Sequence, residues 1–175
     1  MSHDSIDRPS PWVLRWAALI TAGGRVLDVA CGHGRHARWF AERGHGVDAV
    51  DRDAAAIASL AHTRGVQPLC ADIESGRWPY QPQTYAAVIV ANYLHRPIFP
   101  DLLMALTDGG VLIYETFALG NERYGRPSNP HFLLKPGELL DLVRGQLRVV
   151  AYEHIYSDDP KPALLQRICA VKCPP

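Results

Sequence analysis

Residues 26–37 read Val-Leu-Asp-Val-Ala-Cys-Gly-His-Gly-Arg-His-Ala, and this stretch decides the fold of the chain. Its first five residues are apolar except for Asp28, which is typical of a parallel strand buried on both faces. Gly32 and Gly34 then predict a tight turn with positive φ angles, where a ligand can approach the main chain. The helix that follows directs free N–H groups and its positive dipole end at the turn. The stretch therefore predicts a strand–turn–helix unit that binds a nucleotide or a related cofactor.

The spacing alone leaves two kinds of cofactor open. Gly32, Gly34 and Ala37 fit the dinucleotide pattern G-x-G-x-x-G/A, and Asp51 follows at the distance of roughly 20 residues expected for a ribose ligand. This pattern fits NAD as well as another adenosyl cofactor. Asp28 favours the second kind, because a carboxylate below the glycines is a poor neighbour for a pyrophosphate and a good one for an ammonium group.

The order acidic-x-x-x-Gly-x-Gly over residues 28–34 resembles the first motif of the class I S-adenosylmethionine-dependent methyltransferases. Residues 32–36 are also similar to the glycine turn of tellurite-resistance and thiopurine-type methyltransferases, in the small-molecule branch. The resemblance implies S-adenosylmethionine as cofactor, with its methionine part on the glycine turn, its ribose on Asp51 and its adenine between Asp72 and Ile73. The cofactor-binding residues implied in this way are Asp28, Ala30, Cys31, Gly32, Gly34, Asp51, Arg52, Asp72, Ile73 and Asn92. Asp53 fits the cap of the next helix, which would leave Asp51 free for the ribose.

Length and charge limit the class of protein. The chain has 175 residues and a formal net charge of zero. This length suits a single domain over residues 1–175, and the charge argues against tight binding of DNA or RNA. No apolar run is long enough to span a bilayer, and no signal-peptide pattern begins the chain. The four cysteines have neither disulfide nor zinc spacing, so we expect reduced thiols, no bound metal and a cytoplasmic location.

Apolar runs and helical patterns alternate along the chain. Five runs beginning at residues 25, 47, 65, 85 and 111 predict parallel strands. Residues 147–155 and 163–171 predict an antiparallel hairpin at the C-terminus, a hallmark of the resembled fold. Ser10 and Pro11 predict an N-terminal helix over residues 10–22. We therefore expect an α/β protein, a Rossmann-like three-layer sandwich around a mostly parallel seven-stranded sheet.

Polar residues after the fourth and fifth strands are the candidates for chemistry. In the resembled family the segment after the fourth strand lies beside the transferable methyl group. Tyr93 and His95 are therefore candidate catalytic residues and, with Arg96, candidate substrate ligands. Packing and helix capping are equally compatible with Tyr93 and His95. Glu115 is a candidate general base near the end of the fifth strand, although a role as acceptor for loop amides fits better.

The connection over residues 117–134 is long, polar and rich in glycine and proline. Loops of this length in a compact domain are usually functional or disordered. Because it leaves the sheet at the ligand edge, it is a candidate substrate lid, in which Arg123 and Arg126 would bind a polar or anionic substrate. A solvated loop with scattered charges is the alternative.

These features together predict methyl transfer from S-adenosylmethionine to a small molecule. A thiol, selenol or metalloid oxyanion would need mainly positioning, whereas an alcohol or amine would need a base. The alternatives are a module that binds the cofactor without transfer, a nucleic-acid or protein methyltransferase, and an NAD-dependent reductase. An Asn-Pro-Pro-Tyr signature of base methylation is absent. His33 and His36 lack a third metal ligand, so we expect solvent-facing or capping roles for them.

Overall fold

The computed structural model of the protein describes residues 8–174. The strands are β1 (Val26–Val29), β2 (Val47–Asp51), β3 (Val66–Cys70), β4 (Tyr85–Ala91), β5 (Leu106–Phe117), β6 (Arg148–Ser157) and β7 (Ala163–Val171). The helices are α1 (Pro11–Trp16), α2 (Arg35–Glu42), α3 (Ala54–Ala58), α4 (Phe99–Ala105) and α5 (Glu138–Val143).

All seven strands belong to one sheet with the order β3-β2-β1-β4-β5-β7-β6. Strands β1 to β5 run parallel to their neighbours. Strand β7 enters between β5 and β6 and is antiparallel to both. This topology confirms the predicted α/β class, with a mostly parallel seven-stranded sheet that ends in an antiparallel pair.

Apolar side chains form a separate core on each face of the sheet. One core packs α1, α2 and α3 against the sheet through residues such as Val13, Phe40 and Ile57. The other packs α4 and α5 against the opposite face through residues such as Leu102 and Val143. Successive strand residues alternate between the two cores because neighbouring side chains of a strand point to opposite faces. Helices therefore cover both faces and complete the three layers.

The N-terminal helix is shorter than predicted. The Ser10 side chain accepts a hydrogen bond from the Trp12 N–H group and caps α1. The α-helix ends at Trp16, and only a 3₁₀ turn over residues 17–19 continues it. Because the backbone of Ile20 is already extended, the helix predicted over residues 10–22 covers only part of that range.

Strand β5 is longer than predicted. It begins at Leu106, and the turn predicted at residues 108–110 is an irregularity within it. The pairing with β4 jumps across these residues, since Tyr85 pairs with Leu106 but Ala87 pairs with Val111. The irregular segment keeps its place in the sheet by exchanging backbone hydrogen bonds with Lys172 beyond β7.

The carboxyl ends of the central strands meet at the ligand edge of the sheet. Strand β1 lies between β2 and β4, so the order of the strands reverses beside it. Open parallel sheets bind ligands in the crevice at such a switch point. Ala30, Asp51 and Asn92 stand at the ends of β1, β2 and β4 at this crevice.

Within residues 8–174, no helix combines the length and the apolar character needed to cross a membrane. The same residues contain no cluster of three or more histidine, cysteine or acidic side chains placed to hold a metal ion.

Candidate active site

Three cavities open at the ligand edge of the sheet. The sheet-edge cavity has a volume of about 420 Å³, and its lining includes Asp51, Arg52, Asp72, Ile73, Tyr93 and Phe117. The glycine-turn cavity measures about 710 Å³, and its lining includes Asp28, Cys31, Gly32, Arg35 and His36. The N-terminal cavity measures about 620 Å³ and lies between residues 8–14, the end of β5 and the β6–β7 connection. Asn92 lines all three cavities, so they converge on the end of β4.

The two glycines of the turn are required for different reasons. Gly32 has a φ of +52°, and a Cβ atom there would meet no heavy atom within 4 Å. Gly34 has a φ of +74°, and a Cβ atom there would lie only 2.6 Å from the side chain of Leu60. Gly34 therefore allows α2 to pack closely on the segment after α3, whereas Gly32 leaves open space above the turn.

Asp28 lies beneath the turn and is only 1% exposed. Its Oδ2 atom accepts a hydrogen bond of 3.0 Å from the Ala37 N–H group at the start of α2. Burial raises the pKa of this carboxyl to about 7, although the Ala37 N–H group and the charge of Arg35 oppose the shift. The structure thus places a carboxylate that titrates near neutral pH at the floor of the glycine-turn cavity.

His36 is buried, which corrects the prediction of a solvent-facing or capping role. Its Nε2 atom accepts a hydrogen bond of 3.1 Å from the Ser10 N–H group, and its Nδ1 atom lies 4.0 Å from Asp28 Oδ1. Burial, together with the charge of Arg35, lowers the pKa of His36 to about 3. The neutral imidazole therefore links the N-terminal segment to the floor of the glycine turn. His36 precedes the buried Phe40 by four residues, and this helical spacing was the sequence signal for its burial.

Asp51 joins the end of β2 to the glycine turn. Its Oδ2 atom accepts a hydrogen bond of 2.8 Å from the Gly32 N–H group, and its Oδ1 atom accepts one of 2.9 Å from the Asp53 N–H group. The expected role of Asp53 as helix cap is confirmed, because its side chain accepts from two N–H groups of α3. The prediction that Asp51 would be left free was wrong, because both of its carboxylate oxygens accept backbone hydrogen bonds. Each oxygen still has capacity for a further donor.

Asp72 forms a tight turn of its own after β3. Its carboxylate accepts hydrogen bonds from the Glu74 N–H group at 2.9 Å and from the Ser75 hydroxyl group at 2.6 Å. These bonds lower the pKa of Asp72, the Ser75 hydroxyl group most strongly. The adjacent Ile73 is 8% exposed and belongs to the apolar core. Both residues line the sheet-edge cavity.

Asn92 and Tyr93 reach the cavities after a left-handed backbone conformation at Asn92, directly beyond β4. Asn92 has a φ of +57°, and its N–H group donates a hydrogen bond to the Glu115 carbonyl oxygen. The Tyr114 hydroxyl group in turn donates to the Tyr93 carbonyl oxygen at 2.8 Å. The Tyr93 hydroxyl group is buried and has no hydrogen-bond partner within residues 8–174. Burial, together with the nearby carboxylate of Glu74, raises the pKa of Tyr93 and keeps its phenol protonated at neutral pH.

Glu115 reaches the N-terminal cavity but is already paired. It is 6% exposed, and its Oε2 atom lies 3.1 Å from Nε of Arg167, the residue directly opposite on β7. Arg167 Nη1 also lies 3.5 Å from Glu153 Oε2 on β6. The Glu115 carboxylate therefore pairs with a guanidinium group of the neighbouring strand. The sequence had predicted that it would accept hydrogen bonds from loop amides or act as a general base.

Four of the predicted substrate or catalytic residues lie away from the three cavities. Arg96 forms an ion pair with Glu138 and donates hydrogen bonds of 2.8 and 3.0 Å to the carbonyl oxygens of His131 and Leu133. His95 occupies the N-cap position of the 3₁₀ turn that precedes α4, but its side chain makes no capping hydrogen bond. Arg123 and Arg126 are exposed on the 117–134 connection. None of these side chains contributes to the described linings of the three cavities.

Sequence reasoning missed several residues that do line the cavities. They are Arg8, Arg35, Thr116, Phe117, Phe132, Lys161 and Arg167. Phe117 ends β5 two residues after Glu115, so its position at the same edge followed from the strand pattern. Thr116 and Arg35 also followed from local patterns, since one lies on the same strand and the other directly follows the glycine turn. Arg8, Phe132, Lys161 and Arg167 reach the cavities only through the chain's topology, which gives no local sequence signal.

Residues 26–109, which span β1 to the irregular part of β5, match the model of a protein family described as a methyltransferase domain. These 84 of the 175 residues belong to a methyltransferase domain. Among curated protein sequences, none matches this chain.

Many solved structures are similar to this chain in fold, and three of them are compared with it as follows. TehB from Haemophilus influenzae has a TM-score of 0.72 at 19% identity, over 98% of this chain and 62% of TehB. The 1,6-didemethyltoxoflavin-N1-methyltransferase of Burkholderia thailandensis was solved with 1,6-didemethyltoxoflavin and S-adenosylhomocysteine bound. Its TM-score is 0.67 at 17% identity, over 94% of this chain and 77% of that one. The (4+2)-cyclase SpnF has a TM-score of 0.69 at 16% identity, over 93% of this chain and 79% of SpnF. At such identities the likeness shows a shared fold, and different reactions occur on it.

Proposed function

We propose that this protein transfers a methyl group from the cofactor S-adenosylmethionine to a small molecule held in the N-terminal cavity. The observation that carries the proposal is the position of Asn92, which lines the N-terminal, glycine-turn and sheet-edge cavities alike. Two cavities can therefore take the two halves of an extended cofactor while the third presents an acceptor to its centre. The N-terminal cavity, at about 620 Å³, falls in the range of roughly 300–1,000 Å³ that is usual for small-molecule sites.

The glycine turn supports binding of the cofactor's amino-acid part. The open space above Gly32 is one that a Cβ atom would partly fill, so glycine there lets a ligand approach the backbone. Asp28 lies buried below this space, where its carboxylate would stabilise an ammonium group. In this proposal the backbone of Ala30 and Cys31 completes the turn around the amino-acid part.

The sheet-edge cavity supports binding of the adenosine part. Asp51 stands at the end of β2 with its carboxylate fixed by two backbone N–H groups, and it would accept the ribose hydroxyl groups. Asp72 and Ile73 would bind the edge and the face of the adenine ring, with Arg52 and Asn92 completing the walls. The unpartnered hydroxyl group of Tyr93 would hydrogen-bond to this ligand or to its acceptor.

The chain itself contributes to the reaction by positioning the acceptor against the cofactor and by excluding water. When bound, S-adenosylmethionine supplies a methyl carbon to the acceptor's lone pair while the electrons of the carbon–sulfur bond remain on sulfur. The protonated phenol of Tyr93 would donate a hydrogen bond to the bound molecule and would not act as a base. Glu115, held by Arg167, lines the acceptor cavity and orients the groups around it. This arrangement favours an acceptor that is already a good nucleophile, such as a thiolate.

The 117–134 connection supports a covering role beside the sheet-edge cavity. Pro127 and Phe132 of this connection line the cavity, and residue 118 pairs with residue 134 at its base. We propose that this connection limits access to the sheet-edge cavity. We also propose that residues 1–175 form a single domain. All four cysteines are free thiols, and Cys31 and Cys169 are buried, which supports the proposal of a cytoplasmic protein.

Calorimetric titration with S-adenosylhomocysteine tests the cofactor site. We expect saturable binding, and we expect Asp51→Asn to weaken it by about tenfold or more, because a buried hydrogen bond to a charged acceptor is lost. Asp53→Ala is the control, since it removes only the cap of α3 and leaves the affinity unchanged. A folded wild-type protein that gives no heat would refute the cofactor site.

Product formation separates a methyltransferase from a module that only binds the cofactor. Incubation with S-adenosylmethionine and a panel of small thiols, phenols and carboxylic acids should give one or more products heavier by one methyl group. A protein that binds S-adenosylhomocysteine and methylates RNA or protein, but no small molecule of the panel, would contradict the small-molecule assignment.

A further inference from the structure

We propose that the acceptor is an organic anion, in which an anionic group such as a carboxylate is attached to an apolar body. This inference rests on the proposed function, because it identifies the class of molecule that the N-terminal cavity takes. It is carried by the charges of the cavity, by its exposed apolar surface and by its volume.

The charged side chains of the cavity have an excess of cations. Four cationic residues and two acidic ones line it: Arg8, Arg35, Lys161, Arg167, Glu115 and Asp159. Arg167 and Glu115 neutralise each other at 3.1 Å. Among the ion pairs of residues 8–174, none includes Arg8, Arg35 or Lys161. Apart from this pair, the lining therefore presents three cations and one carboxylate, Asp159, so an anionic ligand would meet a net positive charge.

These cations come from three separate segments that surround the cavity. Arg8 precedes α1, Arg35 begins α2, and Lys161 lies on the β6–β7 connection. Arg35 is held in place because its Nη1 atom donates a hydrogen bond of 3.3 Å to the Arg8 carbonyl oxygen. Positive charge brought together from distant parts of the chain, at the mouth of a cavity, favours recognition of an anion.

The same cavity has an apolar wall that a bare inorganic ion would not use. Leu14 is 40% exposed although it lies on a helix that packs against the core. Phe117, Leu165 and Pro11 extend this wall. Covering such surface is favourable by roughly 25 cal/mol per Å², so the wall favours an acceptor with an apolar body. The volume of about 620 Å³ also exceeds what an oxyanion of one central atom would fill.

The test uses three pairs of probes on protein saturated with S-adenosylhomocysteine. The acids are benzoate, 3-phenylpropanoate and naphthalene-2-carboxylate, and each is compared by calorimetry with its carboxamide of nearly the same shape. We expect at least one acid to bind about tenfold more tightly than its amide. Equal affinities within every pair, or no binding of any acid, would overturn the proposal.

Substitutions in the N-terminal cavity test whether a preference for an acid over its carboxamide arises there. Lys161→Gln should reduce the affinity for the preferred acid at least threefold, with the affinity for its amide and for S-adenosylhomocysteine unchanged. Lys135→Gln is the matched control on an exposed lysine outside the cavity and should change none of these values. An acid preference that survives Lys161→Gln, Arg8→Gln, Arg35→Gln and their combination would place the anion elsewhere and overturn the proposal.

Further outcomes distinguish the cofactor site, the preference for an anion and the requirement for an apolar body. Inorganic sulfate that binds as tightly as the best acid would overturn the requirement for an apolar body. A protein that does not bind S-adenosylhomocysteine at all would fail at the proposed function, before the acceptor is tested. A protein that binds S-adenosylhomocysteine but distinguishes no acid from its amide would retain the proposed function and lose this inference.

Discussion

At the scale of single residues, two glycines of one turn should respond differently to the same substitution. Gly32→Ala adds a methyl group at a φ of +52° with no neighbour within 4 Å. We expect it to destabilise the fold by only about 1 kcal/mol, the usual cost of a left-handed alanine, but to weaken S-adenosylhomocysteine binding at least tenfold. Gly34→Ala should destabilise the fold by more, because its methyl group would also clash with Leu60. Urea unfolding and calorimetry measure the two effects.

Gly44→Ala provides the control for backbone strain alone. Gly44 has a φ of +86°, and a methyl group added there would meet no heavy atom within 4 Å. It lies beyond the far end of α2 from the glycine turn. The variant should lose about as much stability as Gly32→Ala and keep full affinity for S-adenosylhomocysteine. Equal affinities in the Gly32 and Gly44 variants would show that no ligand approaches Gly32.

At the scale of elements, Arg96 joins the 117–134 connection to α5. Its guanidinium group binds Glu138 and two carbonyl oxygens of that connection. We expect Arg96→Gln to reduce the free energy of unfolding by about 1–2 kcal/mol, since charged hydrogen bonds are lost at a partly exposed site. Cleavage by trypsin after the exposed Arg123 should also become faster. Urea unfolding and the rate of that cleavage are the measurements.

Arg144→Gln is the control for the loss of a positive charge near α5. Arg144 pairs with Asp141, but both side chains are mostly exposed, at 75% and 67%, and such pairs contribute roughly 0.5 kcal/mol or less. Unchanged stability and cleavage in Arg96→Gln, with a changed KM for the acceptor, would instead restore the prediction from sequence that Arg96 binds substrate.

The contrast between the glycine turn and Arg96 shows what sequence can predict. The strand, turn and helix of residues 26–37 are close in sequence, and their apolar spacing and glycines carry the signal locally. Arg96 and Glu138 are 42 residues apart, and Glu115 and Arg167 meet only because β7 enters the sheet beside β5. A polar residue beside a cavity and one bound to a distant carboxylate look alike in sequence. The predicted roles of Arg96 and Glu115 therefore depended on contacts that only the folded chain sets.

At the scale of the whole molecule, Asp28 and His36 connect stability to pH in opposite directions. Because the pKa of Asp28 is raised to about 7 in the folded state, the folded chain binds more protons there than the unfolded chain, and stability falls as pH rises from about 4 to 7. The pKa of His36 is lowered to about 3, so its contribution is lost as pH falls below about 6.5. The two trends offset each other in the wild type.

Comparison with Asp28→Asn isolates the carboxyl group. This variant cannot ionise at residue 28, so its stability relative to the wild type should increase between pH 4.5 and 7.5, by roughly 3 kcal/mol for a shift of this size. Urea unfolding of both proteins at several pH values measures the difference. A difference that stays constant over this range would show that Asp28 titrates at its ordinary pKa.

Binding of the cofactor product should release a proton from the same group. If the ammonium group of S-adenosylhomocysteine lies beside Asp28, binding favours the ionised carboxylate and lowers its pKa. At pH 6.5 the free protein holds roughly 0.8 proton on a group with a pKa near 7, so up to that amount should be released, and affinity should rise with pH between 5.5 and 7.5. Calorimetry in two buffers with different ionisation enthalpies counts the protons. Asp28→Asn should release none, whereas an equal release from both proteins would place the ammonium group away from Asp28.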